Sequence, residues 1–139
     1  MTTEGDRGTE AQKSNMEDHG SELSGRILGA AIEVHRHLGA GFKEITYENA
    51  LAIEFEIQGI SFERQEPTEL NYKGRSIGDG VMDFLVEGEV VVELKALEKL
   101  NEAHKTQVVA YLQSTGLRLG LLINFHAGRI ADGVVRIAA

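Results

Sequence analysis

Two short apolar runs, Val81-Met82-Asp83-Phe84-Leu85-Val86 and Val90-Val91-Val92-Glu93-Leu94-Lys95, limit what this chain can fold into more than any other feature. Near-continuous apolar character over six residues marks a strand covered on both faces, yet both runs carry ionisable residues. Side chains alternate across a strand, so Glu93 and Lys95 share one face while Leu94 takes the other. Gly88 breaks the chain between the runs, and pairing them as a hairpin places Asp83 beside Glu93. Charges buried in this way cost several kcal/mol each unless they are paired or bound to metal. Two readings satisfy that condition. One is a hard cation, Mg²⁺ or Mn²⁺, held by carboxylates, water and a backbone carbonyl; the other is a buried ion pair with a structural role alone.

The elements around these strands follow from periodicity. Leu23, Ile27, Leu28, Ala31, Val34 and Leu38 recur at helical spacing before a stop at Gly39, and Tyr47, Ala50, Leu51, Phe55 and Ile57 describe a second amphipathic helix ending at Gly59. The pattern then turns to strands, Ile60 to Arg64 and Glu69 to Tyr72, separated by the single proline, Pro67. Lys73-Gly74-Arg75 reads as a turn, and Gly78-Asp79-Gly80 as the lead into Val81 to Val86. Asn101 caps a third helix, Glu102 to Ser114, closed by Gly116. Leu119 to Ile123 and Val134 to Ile137 are the remaining strands expected. Residues 1–20 are polar and aperiodic and read as a flexible tail, which leaves 21–139 as one α/β domain.

Composition removes several kinds of chemistry. With no cysteine there is no disulfide, no thiolate nucleophile and no cysteine-ligated metal, so a metal must sit on oxygen or imidazole. No apolar run approaches the ~20 residues of a membrane span and no apolar leader is present, so a cytoplasmic protein without membrane contact is expected. The formal net charge is -8, of which the tail supplies -3, leaving -5 for the remainder. That acidity opposes strong unspecific binding to a polyanion, but carboxylates gathered for a cation also count as negative charge until the cation binds.

The segment Gly41-Phe42-Lys43-Glu44-Ile45-Thr46-Tyr47, with Val34 to Gly39 before it and Glu48 to Leu51 after it, resembles the bacterial family named for its GxxExxY motif, assigned to the PD-(D/E)XK nuclease superfamily. The resemblance extends from about Leu23 to Ile137 through Tyr72-Lys73-Gly74, Asp83, the VVELKA segment, Gln107 with Tyr111, and Leu121 to Phe125; Ala40 stands where similar sequences often have proline. It implies a restriction-endonuclease-like core, a central mixed β-sheet flanked by helices, and a Mg²⁺- or Mn²⁺-dependent nuclease hydrolysing phosphodiester bonds of DNA or RNA. It further implies that Asp83, Glu93 and the Leu94 carbonyl hold the metal with Glu44 completing the set, that Lys95 orients or activates the attacking water, and that Gln107 contacts the site or substrate. The physical logic agrees, because a metal acidifies bound water and a neighbouring cation stabilises charge on the transferring phosphate. The rival reading is a non-catalytic nucleic-acid-binding or protein-interaction module that keeps the fold. A homodimeric nuclease whose second subunit completes the substrate groove is compatible with the first reading.

The remaining polar residues divide between site and scaffold. Gln107 and Tyr111 lie one helical turn apart and face the same way, toward the site or toward solvent. His35, beside the stripe of the first helix, is read first as a hydrogen-bonded structural histidine and second as a residue reaching the site. Tyr47 is expected in the core with its hydroxyl tethered, Glu54 has no catalytic role and has a buried pair open to it, and Asn124 lies either near the site or capping a loop. His37, His104 and His126 lack metal-ligand spacing, and no phosphate-binding loop, dinucleotide fingerprint or nucleophile elbow occurs.

Overall fold

The computed structural model describes residues 22–139; the expected tail lies outside the described residues. Helix α1 spans residues 22–38 and α2 spans Glu44–Gln58. They are followed by β1 (Phe62–Tyr72), β2 (Arg75–Val86), β3 (Val90–Lys95), α3 (Glu102–Thr115), β4 (Leu119–Asn124), a 3₁₀ turn at Ile130–Gly133 and β5 (Val134–Ala138). The strands form one sheet in the order β1-β2-β3-β4-β5. Neighbours are antiparallel except β3 and β4, which run parallel. A parallel pair needs a crossover, and α3 supplies it. This is the mixed, helix-flanked α/β sheet of a restriction-endonuclease-like fold.

Alternation along the central strands sends residues into two separate cores. Val90, Val92 and Leu94 of β3, with Leu121 and Ile123 of β4, pack against Ile27, Ala31 and Val34 of α1 and Leu51 and Phe55 of α2. Val91 and Leu122 pack on the opposite side against Val108, Tyr111 and Leu112 of α3. Both faces are covered, which is why these strands read as unbroken apolar runs. Gly120 lets α3 approach closely, since a Cβ there would meet Val108 Cγ1 at 2.5 Å. Among the described residues no helix is long and apolar enough to cross a membrane.

Local chemistry sets the element ends. Gly59 adopts φ 71° and closes α2, with the Ile60 N–H donating back to the Phe55 carbonyl at 2.9 Å and the Ile60 side chain buried beneath. Asn101 and His104 form a reciprocal capping box at the start of α3, in which an imidazole does the work usual for Glu or Gln. Lys73 and Gly74, both at positive φ (50° and 81°), make the two-residue turn joining β1 to β2, matching the right-handed twist of the strands.

Three expectations change. Pro67 does not divide two strands but sits inside one continuous β1, paired with Val81. β1 is a sheet edge, where a missing N–H costs no ladder bond. Likewise Gly78 to Gly80 belong to β2 itself rather than to a lead-in. Ile57, read as part of the apolar stripe of α2, is 71% exposed.

Candidate functional site

The site lies where β2 and β3 part. Regular pairing runs through Val86 with Val90, Leu85 with Val91 and Phe84 with Val92, and one step further Asp83 stands across from Glu93. There the side chains take over from the backbone ladder. The Asp83 N–H donates to Glu93 Oε1 at 2.8 Å, and the Leu94 N–H donates to Asp83 Oδ2 at 2.8 Å, so each carboxylate is fastened to the other's strand. Strand β2 also turns over at this point. Met82 packs in the α3 core while Phe84, two residues on, packs in the α1/α2 core, although residues two apart normally share a face. Asp83 sits at the changeover, convergent with Glu93.

A second carboxylate network supports Asp83 from the edge. Gln65 of β1 lies opposite Asp83, between the Arg64–Phe84 and Glu66–Met82 pairs, with φ 53°, a left-handed conformation uncommon outside glycine and asparagine. Its Nε2 donates to Asp83 Oδ1 at 3.3 Å and to Glu48 Oε1 at 2.9 Å. Glu48 comes from α2 and is only 4% exposed; its Oε2 accepts from Arg64 Nε at 2.6 Å, and Arg64 also donates to Asn49 Oδ1. A buried carboxylate with this many partners is one a fold can carry. The sequence offered no cue to Gln65 or Arg64, which lie on an exposed edge strand, and Glu48 stood out only as a neighbour of Tyr47.

Electrostatics tie Glu44, Asp83, Glu93 and Lys95 together. Burial, then the charge of Asp83, pushes the Glu93 carboxyl up from 4.5 to about 8, against the pull of the Asp83 N–H and of Lys95. Burial first, with the nearby Glu48 charge, also raises Asp83, while the Leu94 N–H, Gln65 and Lys95 hold it down. Glu44, in the first turn of α2, is raised by burial and then by Asp83, with Lys95 opposing. Lys95 has no ion-pair partner within bonding distance among the described residues, but it is the one cation acting on all three carboxylates. The four expected residues, from three separate elements, therefore share one electrostatic environment. Gln107 and Tyr111 join it from α3, since the Tyr111 hydroxyl is raised by burial and by the charges of Glu93 and Asp83, and is held down by the Val81 backbone and by Gln107.

The donor set suits a hard cation: three carboxylates within electrostatic reach, each made more basic by burial and mutual repulsion, and no sulfur or imidazole among them. Their side chains are not already gathered around one point. Among the described residues no group of three or more His, Asp or Glu is arranged to hold a metal, and Asp83 Oδ2 and Glu93 Oε1 both accept backbone N–H groups. The residues therefore fit such an ion in kind.

The other candidates are scaffold. Tyr47 is fully buried, stacked on Phe125 at 4.6 Å, and its hydroxyl donates to the Gly39 carbonyl at 2.6 Å while accepting from the Phe42 N–H at 3.2 Å, so it clamps the loop that delivers Glu44. Asn124 caps the loop after β3 through Leu97, donating to its carbonyl at 2.8 Å and accepting its N–H at 3.0 Å. Glu54 accepts from Gln58 on the surface of α2 and is not in a buried pair. His35 is not the hydrogen-bonded histidine expected: its Nε2 is buried with no partner among the described residues, and its ring lies 6.4 Å from that of Phe125.

An α/β sheet with an Asp on one strand facing the Glu-X-Lys of the next defines a class of phosphodiester-cleaving folds. In agreement, a sequence model of the PD-(D/E)XK nuclease superfamily matches residues 21–137, and the chain belongs to that superfamily. No curated protein and no solved structure matches the chain significantly.

Proposed function

We propose that the protein is a Mg²⁺- or Mn²⁺-dependent nuclease of the GxxExxY branch that hydrolyses phosphodiester bonds in nucleic acid. The observation that carries this reading is the clasp between Asp83 and Glu93, with Lys95 on the strand of Glu93 and Glu44 at the start of α2 within electrostatic reach. Asp83, Glu93 and the Leu94 carbonyl would hold the ion, with Glu44 as a further carboxylate. When bound, the ion acidifies water and polarises a phosphoryl oxygen. Lys95 contributes fixed positive charge where the transition state gathers negative charge, and its half-buried position strengthens that effect. Gln107 and Tyr111 offer neutral donors to the scissile phosphate. Tyr47 keeps the Glu44 loop rigid.

The test is digestion of single- and double-stranded DNA and RNA with each metal, comparing wild type with Asp83→Ala and Lys95→Ala. Each substitution is expected to lower the rate at least ~100-fold, the scale for losing one electrostatic stabiliser of the transition state. Cleavage unaffected by both would refute the assignment. One observation favours the rival reading, a binding module that keeps the fold: the two central carboxylates already spend an oxygen each on backbone N–H groups. Calorimetric titration with Mn²⁺ separates the two, because a module shows no heat that disappears in Asp83→Ala.

A further inference from the structure

The two-stranded ribbon formed by the ends of β1 and β2 overhangs the rest of the sheet. β2 pairs with β3 only over Phe84 to Val86, and β3 runs antiparallel to it, so the chain from Gly80 back to Arg75 projects beyond the C-terminal ends of β3 and β4. Those ends carry Glu93, Lys95 and Asn124. The overhang therefore extends from the same edge of the sheet at which the candidate site opens. Only β1 pairs with it, down to Tyr72 opposite Arg75.

The chemistry of the tip contrasts with that of the chain. In a protein of net charge -8, the turn presents Lys73 and Arg75, neither with a carboxylate partner among the described residues. Tyr72 is 60% exposed with Lys73 Nζ over its ring at 5.4 Å, and a register shift beyond Leu70 turns out Ile77, 67% exposed. Within the overhang Glu69 faces Asp79, so its two acids lie toward the sheet and its two bases at the tip. Like charges directly opposed cost stability, so the separation of signs along the ribbon is not one that folding alone favours.

We propose that this tip is a DNA-docking element that enters the major groove of a duplex, with Lys73 and Arg75 on the flanking phosphates. The inference rests on the nuclease reading for its orientation. A two-stranded ribbon fits the B-form major groove, whereas the deep, narrow groove of an RNA duplex excludes it. The eight steps from Asp83 to Arg75, which include the register shift at Ile77, span at most about 26 Å at strand rise. That is roughly seven to eight base pairs at about 3.4 Å each, so the tip grips DNA well away from the cleaved bond.

The experiment is fluorescence anisotropy in EDTA, where no cleavage occurs, with labelled duplexes of increasing length, single strands and an RNA duplex. The full chain is compared with a Lys73→Ala/Arg75→Ala variant, whose exposed substitutions leave the fold intact. Wild-type affinity is expected to step upward once the duplex extends beyond roughly eight base pairs on one side. The double variant is expected to lose that step, and its salt dependence to fall by about two in log-log slope, one unit for each phosphate contact removed. Equal affinity of both proteins for every duplex, no duplex binding at all, or tighter binding of single strands or of the RNA duplex each overturns the proposal. So does a variant that changes only the oligomeric state in sedimentation, which would make the tip a contact between copies. Ribbon-dependent duplex binding without metal-dependent cleavage would sink the nuclease reading and leave the docking element standing. Cleavage without ribbon-dependent binding would do the reverse.

Discussion

Glu93 holds a proton that its surroundings make hard to release, and this sets how the protein responds to pH. An unfolded glutamate titrates near 4.5, whereas burial and the Asp83 charge keep Glu93 protonated in the fold up to about 8. The folded state thus binds more protons across that window, and metal-free stability must fall as pH rises from about 4.5 to about 8. Asp83 and Glu44 shift in the same direction. Thermal unfolding in EDTA is expected to show a loss of a few kcal/mol over this range, and Glu93→Gln to remove most of it. A slope unchanged by that substitution would mean the carboxyl is not buried as described. At Tyr47 the expectation is simpler: Phe removes a hydroxyl that serves both Gly39 and Phe42, costing about 1–2 kcal/mol and lowering Tm by several degrees. Much of this was legible in the residues. Alternation along Val90–Lys95 put Glu93 and Lys95 together, and a hairpin around Gly88 put Asp83 beside them. Gln65 and Glu48 were not legible, because the contact between them spans two elements with no shared periodicity.

Among the elements, α3 packs on the sheet through Val108, Tyr111 and Leu112, and Gly120 leaves the room for its close approach. Gly120→Ala would drive a Cβ into Val108, and overpacking of this kind costs about 1–3 kcal/mol. Because Val108 adjoins Gln107 and lies one turn before Tyr111, the displaced helix is also expected to raise KM for nucleic acid more than it lowers kcat; equal effects on both would separate α3 from the site. The helix limits were readable from Gly39, Gly59, Asn101 and Gly116, all of which act through local backbone geometry. The β1 edge was not. Pro67 is a strand breaker anywhere but at an edge, and only the order of strands reveals that β1 is one.

For the whole molecule, stability is expected to depend on cations through the proposed metal site. A ligand that binds only the folded state adds RT ln(1 + [L]/Kd), about 2.7 kcal/mol at a hundredfold excess over Kd. Mg²⁺ or Mn²⁺ is therefore expected to raise Tm, more at pH 8.5 than at pH 6 because protons compete for Glu93, and Asp83→Ala is expected to abolish the rise. A metal-independent Tm in the wild type would argue for the binding module.

What the sequence determined by itself was local: strand faces, helix ends, the absence of thiol chemistry, and the alignment of an Asp with a Glu-X-Lys. These follow from covalent geometry, whose periods of 2 and 3.6 hold wherever a segment lies in the fold. Tertiary structure alone decided that β3 and β4 run parallel, that Glu48 and Gln65 brace Asp83, that β2 turns over at the site, and that a ribbon with a basic tip overhangs it. Each depends on register and layer packing between residues distant along the chain, where the free energy belongs to the pairing rather than to any one segment.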